Sequence, residues 1–114
     1  MQSDDTIQEG TLHLCGHQLD PEYQAIQING KYLRLRDKLW VVLLCLVENK
    51  SLLISRNDLI NNYWGGNSLS GEQGITHTIC HLRKMLKQYN IKAEILTIPK
   101  RGYVLQEGND IKIY

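Results

Sequence analysis

The sequence lacks the features that mark several classes of protein. Its three cysteines are an odd number at wide spacing, so they do not suggest a disulfide framework and are typical of a reducing compartment. The N-terminus is acidic, and no basic stretch followed by an apolar one indicates a signal peptide. The longest apolar run, Leu39 to Val47, has nine residues, whereas a membrane-spanning helix needs about 20. We therefore expect a cytoplasmic domain.

Patterns that indicate catalysis are missing as well. The sequence contains no glycine-rich phosphate loop. The acidic residues Asp58, Glu72 and Glu94 are explained as a helix cap, a first-turn residue and a strand residue, and the sequence places no base beside a cysteine. We expect neither enzymatic activity nor a cofactor.

Two groups of histidine and cysteine match metal-ligand patterns only in part. His77 and His81 are four residues apart on a predicted helix, as zinc ligands can be, but the glutamate of the metalloprotease motif is absent and spacing supplies no third ligand. His13, Cys15 and His17 alternate as on one face of a strand, although a glycine interrupts the run. We expect polar surface or half-buried residues at both places and no metal site.

The net charge of +1 is unevenly distributed along the 114 residues. Residues 1–30 contain five acidic residues and no lysine or arginine, whereas residues 83–101 contain six cationic residues against one acidic residue. An anionic partner would therefore meet the C-terminal third. The length supports one domain with one modest core. We expect a flexible lead over residues 1–10, the folded domain over residues 11–107, and a tail or the start of a linker over residues 108–114.

Apolar periodicity and turn residues predict the order of the elements. Strand-like segments at about residues 11–14, 23–28 and 31–35 predict an antiparallel sheet of three or four strands, with Asn29-Gly30 as the last hairpin turn. Helices are expected over residues 37–48, from a capping box at Ser55 to Gly65-Gly66, and from an N-cap at Ser70 to about Tyr89. A second pair of strands follows around Pro99 to Gly102.

The third predicted helix has two different faces. Ile75, Ile79, Leu82 and Leu86 follow at helical spacing and predict a buried stripe. The opposite side, which has no large apolar residue, carries Gln73, His77, Cys80, His81, Lys84 and Lys87, with Thr76 and Arg83 at its margins. Lys100 and Arg101 are expected at the tip of the following hairpin. A helix that fits a major groove beside a basic loop is typical of DNA recognition.

The same segments carry a resemblance to a known family. They are the helix-one block from Leu39 to Leu46, residues 53–60 leading to Trp64, the residues Ile75, Ile79 and 82–86, and the hairpin string at residues 95–103. In this order the chain resembles the winged helix-turn-helix domain of OmpR/PhoB-type bacterial transcription regulators, most like the branch of CadC-like and ToxR-like membrane-anchored activators. The resemblance implies an α+β fold with an N-terminal antiparallel sheet, a three-helix core and a C-terminal β-hairpin wing.

The resemblance also implies roles for individual positions. The recognition helix, about residues 71–89, would enter the major groove of promoter DNA, with the wing at residues 99–102 on the backbone or minor groove. The implied DNA-contacting residues are Gln73, Thr76, His77, Thr78, Cys80, His81, Arg83, Lys84, Lys87, Lys100 and Arg101. The loop at residues 65–71 would be able to contact RNA polymerase, and a homodimer would form on DNA. Any membrane contact would come from a segment downstream of this sequence.

The chain departs from the family at the recognition face. Many relatives have arginine where this sequence has Gln73, Cys80 and His81, so this face is unusually uncharged. Because phosphate contacts supply most non-specific affinity, we expect weak binding or binding that depends on dimerisation. The alternative interpretation is a degenerate winged-helix module that binds another regulator or RNA polymerase in place of DNA.

Overall fold

The computed structural model describes residues 11–108, so the expectations for residues 1–10 and 109–114 lie outside the described part of the chain. The elements in chain order are β1 (Leu12–Leu14), β2 (His17–Asp20), β3 (Ala25–Ile28), β4 (Lys31–Arg34), α1 (Asp37–Glu48), β5 (Ile54–Ser55), α2 (Arg56–Tyr63), α3 (Ser68–Gln88), β6 (Ala93–Ile98) and β7 (Gly102–Glu107). An N-terminal antiparallel sheet, three helices and a C-terminal hairpin confirm the predicted fold class.

The N-terminal sheet has the strand order β1-β2-β3-β4, and every neighbouring pair is antiparallel. The β3–β4 hairpin turns at Asn29 and Gly30, whose φ angles of 52° and 81° confirm the predicted turn. Strand β2 was not predicted individually. The third strand starts later than expected, at Ala25, because Gln24 has a φ of 50° and the Asp20 carboxylate accepts hydrogen bonds from the following turn.

The first hairpin corrects the expectation that His13, Cys15 and His17 lie on one strand face. Cys15 and Gly16 form the turn between β1 and β2, with φ angles of 52° and 84°. The two histidines are therefore on different strands. Among residues 11–108, no cluster of three or more His, Cys, Asp or Glu side chains could hold a metal ion.

Helix α1 has the predicted bounds and forms the centre of the core. Its buried side chains are Trp40, Val42, Leu43, Leu46 and Val47. Helix α3 packs against it with the predicted stripe, in which Ile75 and Leu82 have no exposed surface and Ile79 and Leu86 are 2% and 3% exposed. Burial of these aliphatic side chains holds α3 on the domain and leaves its opposite side in solvent.

The starts of α2 and α3 were predicted with unequal success. Ser55 caps α2, since its Oγ accepts from the Asp58 N–H at 2.9 Å, as expected. The prediction of Ser70 as the cap of α3 was wrong. Asn67 takes this role and accepts from the Ser70 N–H at 3.1 Å, so the helix starts at Ser68. The connection between α2 and α3 is correspondingly shorter than the predicted loop at residues 65–71.

Two glycines on α3 allow it to lie unusually close to α2. A Cβ atom at Gly71 would lie 2.5 Å from Cγ2 of Ile60, and one at Gly74 would lie 2.3 Å from Nε1 of Trp64. Real side chains do not approach so closely. The distance between the second and third helices therefore depends on the absence of side chains at these positions.

Glu107 connects the two sheets. Its carboxylate accepts from the Cys15 N–H at 2.7 Å and from the Lys50 ammonium at 3.2 Å, while Lys50 also donates to the main-chain O of His13 at 3.0 Å. Partial burial opposes ionisation of Glu107, but these hydrogen bonds and the lysine charge outweigh it and lower the pKa of Glu107. The first hairpin turn is thereby attached to the end of β7.

Candidate nucleic-acid interface

The exposed side of α3 carries eight of the eleven side chains predicted to contact DNA. Gln73, Thr76, His77, Cys80, His81, Arg83, Lys84 and Lys87 are all exposed. The first half of this surface is polar and without lysine or arginine, and the two lysines lie in the second half. We call these eight residues the recognition face.

Thr78 does not belong to the recognition face. Its side chain is only 7% exposed, and it is the one buried polar residue within residues 11–108. It lies three residues after Ile75 and four before Leu82, so helical spacing places it on the side of the core. The burial of Thr78 speaks against the prediction that this side chain contacts DNA.

The wing is the hairpin formed by β6 and β7. Its turn is closed by a hydrogen bond from the Arg101 N–H to the main-chain O of Ile98 at 2.9 Å, and Lys100 adopts a φ of 66°. Both cationic side chains are exposed at the tip, as the sequence predicts. Gly102 then allows β7 to pass close to β5, because a Cβ there would lie 2.0 Å from the main-chain O of Ile54.

Arg83 joins the recognition helix to the wing. Its Nε and Nη2 donate to the main-chain O of Ile95 at 2.9 and 2.6 Å, and Nη2 also donates to Oγ1 of Thr97 at 2.7 Å. Within residues 11–108, its Nη1 makes no hydrogen bond and is free to meet a phosphate. Arg83 therefore has a structural role in addition to the phosphate contact that the sequence predicts.

Arg56 forms a second connection, which the sequence analysis missed. Its guanidinium donates to the Glu72 carboxylate, with Nε 3.0 Å from Oε1, and to the hydroxyl groups of Thr76 and Tyr103. Its main-chain N–H donates to the O of Arg101 at 3.2 Å. One side chain thus contacts α3 and β7, while its own backbone contacts the wing turn.

A local signal for this role was available in the sequence. Arg56 is the first residue of α2. A cation at a helix N-terminus interacts unfavourably with the helix dipole, so an arginine there indicates an acidic partner nearby. The partner, Glu72, is 16 residues away and could not be identified by local spacing. Because Arg56 and Glu72 keep 27% and 52% of their side-chain surface exposed, the ion pair by itself contributes no more than about 1 kcal/mol. The ion pair matters because it fixes the position of the Arg56 side chain against α3.

A shallow depression lies beside this network at the edge of the recognition face. It has a volume of about 410 Å³ and is lined by Arg56, Glu72, Gln73, Thr76 and His77. The depression brings three residues of the recognition face, Gln73, Thr76 and His77, next to the Arg56 guanidinium. Polar side chains of this kind suit hydrogen bonding to base edges, whereas the wing cations suit phosphates. Over residues 11–108, no helix combines the length and apolar character needed to cross a bilayer.

Comparisons with known proteins agree with this architecture. Residues 30–105 match the family described as transcriptional regulatory protein, C terminal. The chain is 34% identical over 104 residues to the transcriptional activator CadC of Escherichia coli K12, covering 82% of this chain and 20% of CadC. It is 28% identical over 99 residues to the response regulator ArlR of Staphylococcus aureus, covering 87% of this chain and 45% of ArlR. The chain thus spans less than half the length of these relatives.

Two solved structures have the same fold. The DNA-binding domain of E. coli CadC superimposes with a TM-score of 0.70 at 30% identity, covering 83% of this chain and 90% of that one. The Klebsiella pneumoniae RstA DNA-binding domain, solved in complex with the RstA box, gives a TM-score of 0.68 at 19% identity, covering 85% of this chain and 97% of that one. The chain belongs to the OmpR/PhoB-type family of winged helix-turn-helix domains of transcription regulators.

Proposed function

We propose that this domain binds double-stranded promoter DNA sequence-specifically, as part of a bacterial transcription regulator. Helix α3 would lie in the major groove and the wing on the backbone or in the minor groove. The observation that carries the proposal is the attachment of a polar, exposed helix face to a cationic hairpin tip through Arg83 and Arg56. Similarity to the CadC DNA-binding domain supports it.

The direct test removes the wing cations and measures DNA affinity at several salt concentrations. In this proposal Arg83, Lys84, Lys87, Lys100 and Arg101 contact phosphates, and each contact contributes about 0.9 to the slope of log affinity against log salt. Five contacts predict about a 500-fold loss of affinity from 50 to 200 mM salt, and three predict about a 40-fold loss. The Lys100→Ala/Arg101→Ala variant should therefore weaken binding and flatten the slope by about 1.8.

A matched control is available in the other sheet. Lys31 and Arg34 are exposed cations on β4, so the Lys31→Ala/Arg34→Ala variant removes the same charge from a different surface. It should keep the wild-type slope. If the wing variant binds duplex DNA as tightly as the wild type, the wing role is wrong. Absence of duplex binding by the wild type at low salt would favour the alternative, a module that binds another regulator or RNA polymerase.

A contact with RNA polymerase is a further part of the proposal. The predicted segment, residues 65–71, contains Leu69, which is 78% exposed on the first turn of α3. We place the apolar part of this contact at Leu69, which is exposed beside the short loop between α2 and α3. The Leu69→Ser variant should keep promoter affinity and lose transcriptional activation in a reconstituted system. Equal activation by both proteins would remove this surface from consideration.

Two further parts of the proposal are the assembly of the domain on DNA and its location in the cell. Two domains would occupy direct repeats head to tail, and half-site spacing in selected operators would test this. A domain that binds promoter DNA would lie in the cytoplasm, because bacterial DNA is found there. In a membrane-anchored regulator of the CadC and ToxR type, the anchor would be a separate segment of about 20 apolar residues beyond Tyr114. The sequence of the parent gene past this position tests that arrangement.

A further inference from the structure

The hydroxyl group of Thr76 has two partners inside the protein. Its Oγ1 lies 2.9 Å from the main-chain O of Glu72, one turn earlier in α3, and 3.2 Å from Nη2 of Arg56. A carbonyl oxygen only accepts hydrogen bonds, and a guanidinium only donates them. The hydroxyl proton is therefore directed to Glu72, and one of the two oxygen lone pairs is occupied by Arg56.

The Thr76 hydroxyl is held by a residue outside α3, Arg56 at the start of α2. The Arg56 side chain is positioned by the Glu72 carboxylate on one side and by the hydroxyl of Tyr103, on β7, on the other. Its position is thus set by contacts on both helix and wing. The direction of the Thr76 proton is consequently set by the protein before any ligand arrives, in contrast to an ordinary surface hydroxyl, which rotates to suit its partner.

One lone pair of Thr76 remains on the exposed side of α3. In the major groove, the donors on base edges are the N6 amino group of adenine and the N4 amino group of cytosine. Guanine O6 and N7, adenine N7 and thymine O4 are acceptors, and Thr76 has no proton left for them. The hydroxyl can therefore accept a hydrogen bond from an amino group. Opposite a keto oxygen, two lone pairs would face each other and no hydrogen bond would form.

We propose that Thr76 is a specificity-determining residue that accepts a hydrogen bond from an amino base, adenine or cytosine. Arg56 is the positioning residue that keeps the hydroxyl in its acceptor state. The inference rests on the proposed function, because it requires α3 to lie in the major groove. A single hydrogen bond of this kind gives about a threefold to tenfold preference for the amino base over guanine or thymine at one position.

The experiment is a binding-site selection from random duplexes at low salt, followed by affinity measurements on single-base variants of the selected site. Thr76→Val has a similar shape and no hydroxyl, and Thr76→Ser keeps the hydroxyl as the matched control. The wild type and Thr76→Ser should share an amino-base preference at one base pair. Thr76→Val should lose that preference, by about threefold to tenfold, and keep the preferences at other positions.

Three results would overturn the inference while leaving DNA binding intact. Thr76→Val could give the same base preferences as the wild type at every position. The preference lost in Thr76→Val could be for guanine or thymine, which would require a donating hydroxyl. The wild type could bind duplex DNA without any base preference. Absence of duplex binding by the wild type at low salt is a different result, because it refutes the proposed function and the inference together.

The role of Arg56 is tested separately from its contribution to the fold. Arg56→Met removes the guanidinium with all of its N–H donors and keeps an unbranched side chain, and circular dichroism reports whether the variant folds. A positioning role predicts lower discrimination at the Thr76-dependent base pair, with unchanged preferences elsewhere. A uniform loss of affinity with the base preference intact would show that Arg56 only supports the fold. The Thr76 variants test the main inference even if Arg56→Met does not fold.

Discussion

Replacement of Gly71 by alanine would place a methyl group between α2 and α3. The new Cβ would lie 2.5 Å from Cγ2, 3.0 Å from Cγ1 and 3.2 Å from Cβ of Ile60. Ile60 is 4% exposed and β-branched, so its side chain has no free space to enter and few alternative rotamers. The clash must therefore be relieved by moving one helix relative to the other.

The expected cost follows from two opposing effects. Alanine in place of glycine stabilises a helix by up to about 1 kcal/mol. Overpacking of a core typically costs about 1 to 3 kcal/mol, and contacts as short as 2.5 Å with a buried residue belong in the upper part of this range. We expect a net loss of about 1 to 2 kcal/mol in the free energy of unfolding, or roughly 4 to 16 °C in Tm.

Urea and thermal unfolding of five proteins measure this effect. They are the wild type, Gly71→Ala, Gln73→Ala on the exposed side of the same helix, and Ile60→Leu, which lacks the branched Cγ2, with and without Gly71→Ala. Gln73→Ala should change stability by less than about 0.5 kcal/mol. Gly71→Ala should cost less in the Ile60→Leu background than in the wild type. An equal cost in both backgrounds, or a stabilised single variant, would refute the packing argument.

Two further predictions concern other parts of the molecule. The pKa of Glu107 is lowered by its partners in the fold, so its contribution to stability is present above the unfolded-state pKa of about 4.3 and is lost as the pH falls through the lower folded-state value. Acid unfolding of the Glu107→Gln variant should show a smaller loss of stability below about pH 4.3 than the wild type. Thr78→Val should bind DNA within about twofold of the wild type, because this side chain faces the core; a larger loss would return Thr78 to the interface.

Local signals in the sequence were sufficient for much of the fold. The bounds of α1 and the Asn29-Gly30 turn were predicted correctly, because an apolar block and a turn dipeptide act over short distances. Asn67 was overlooked as the cap of α3, although asparagine is among the best capping residues, because Ser70 also fits the pattern. Thr78 was assigned to DNA through the resemblance, even though its spacing from Ile75 placed it on the buried side.

The contacts that orient the candidate interface could not be predicted in the same way. Arg56 is 47 residues from Tyr103 and 16 from Glu72, and Cys15 is 92 residues from Glu107. Such pairs form only after the helices and sheets have packed, and no periodicity in the sequence relates their members. The buried stripe of α3 thus indicates which face is outward. The direction in which that face points relative to the wing depends on long-range polar contacts.

The distribution of cations predicts different roles in DNA binding for the recognition helix and the wing. Helix α3 offers Lys84 and Lys87 only in its second half, and the wing supplies Lys100 and Arg101. With five candidate phosphate contacts including Arg83, we expect the salt-dependent affinity of one domain to be low at physiological ionic strength. In the proposed binding mode, base contacts from the uncharged half of the face would provide a larger share of the binding energy, and their geometry would depend on the Arg56 network. A second domain on the neighbouring repeat doubles the phosphate contacts without altering that geometry, which is why we expect stable operator binding to require two copies.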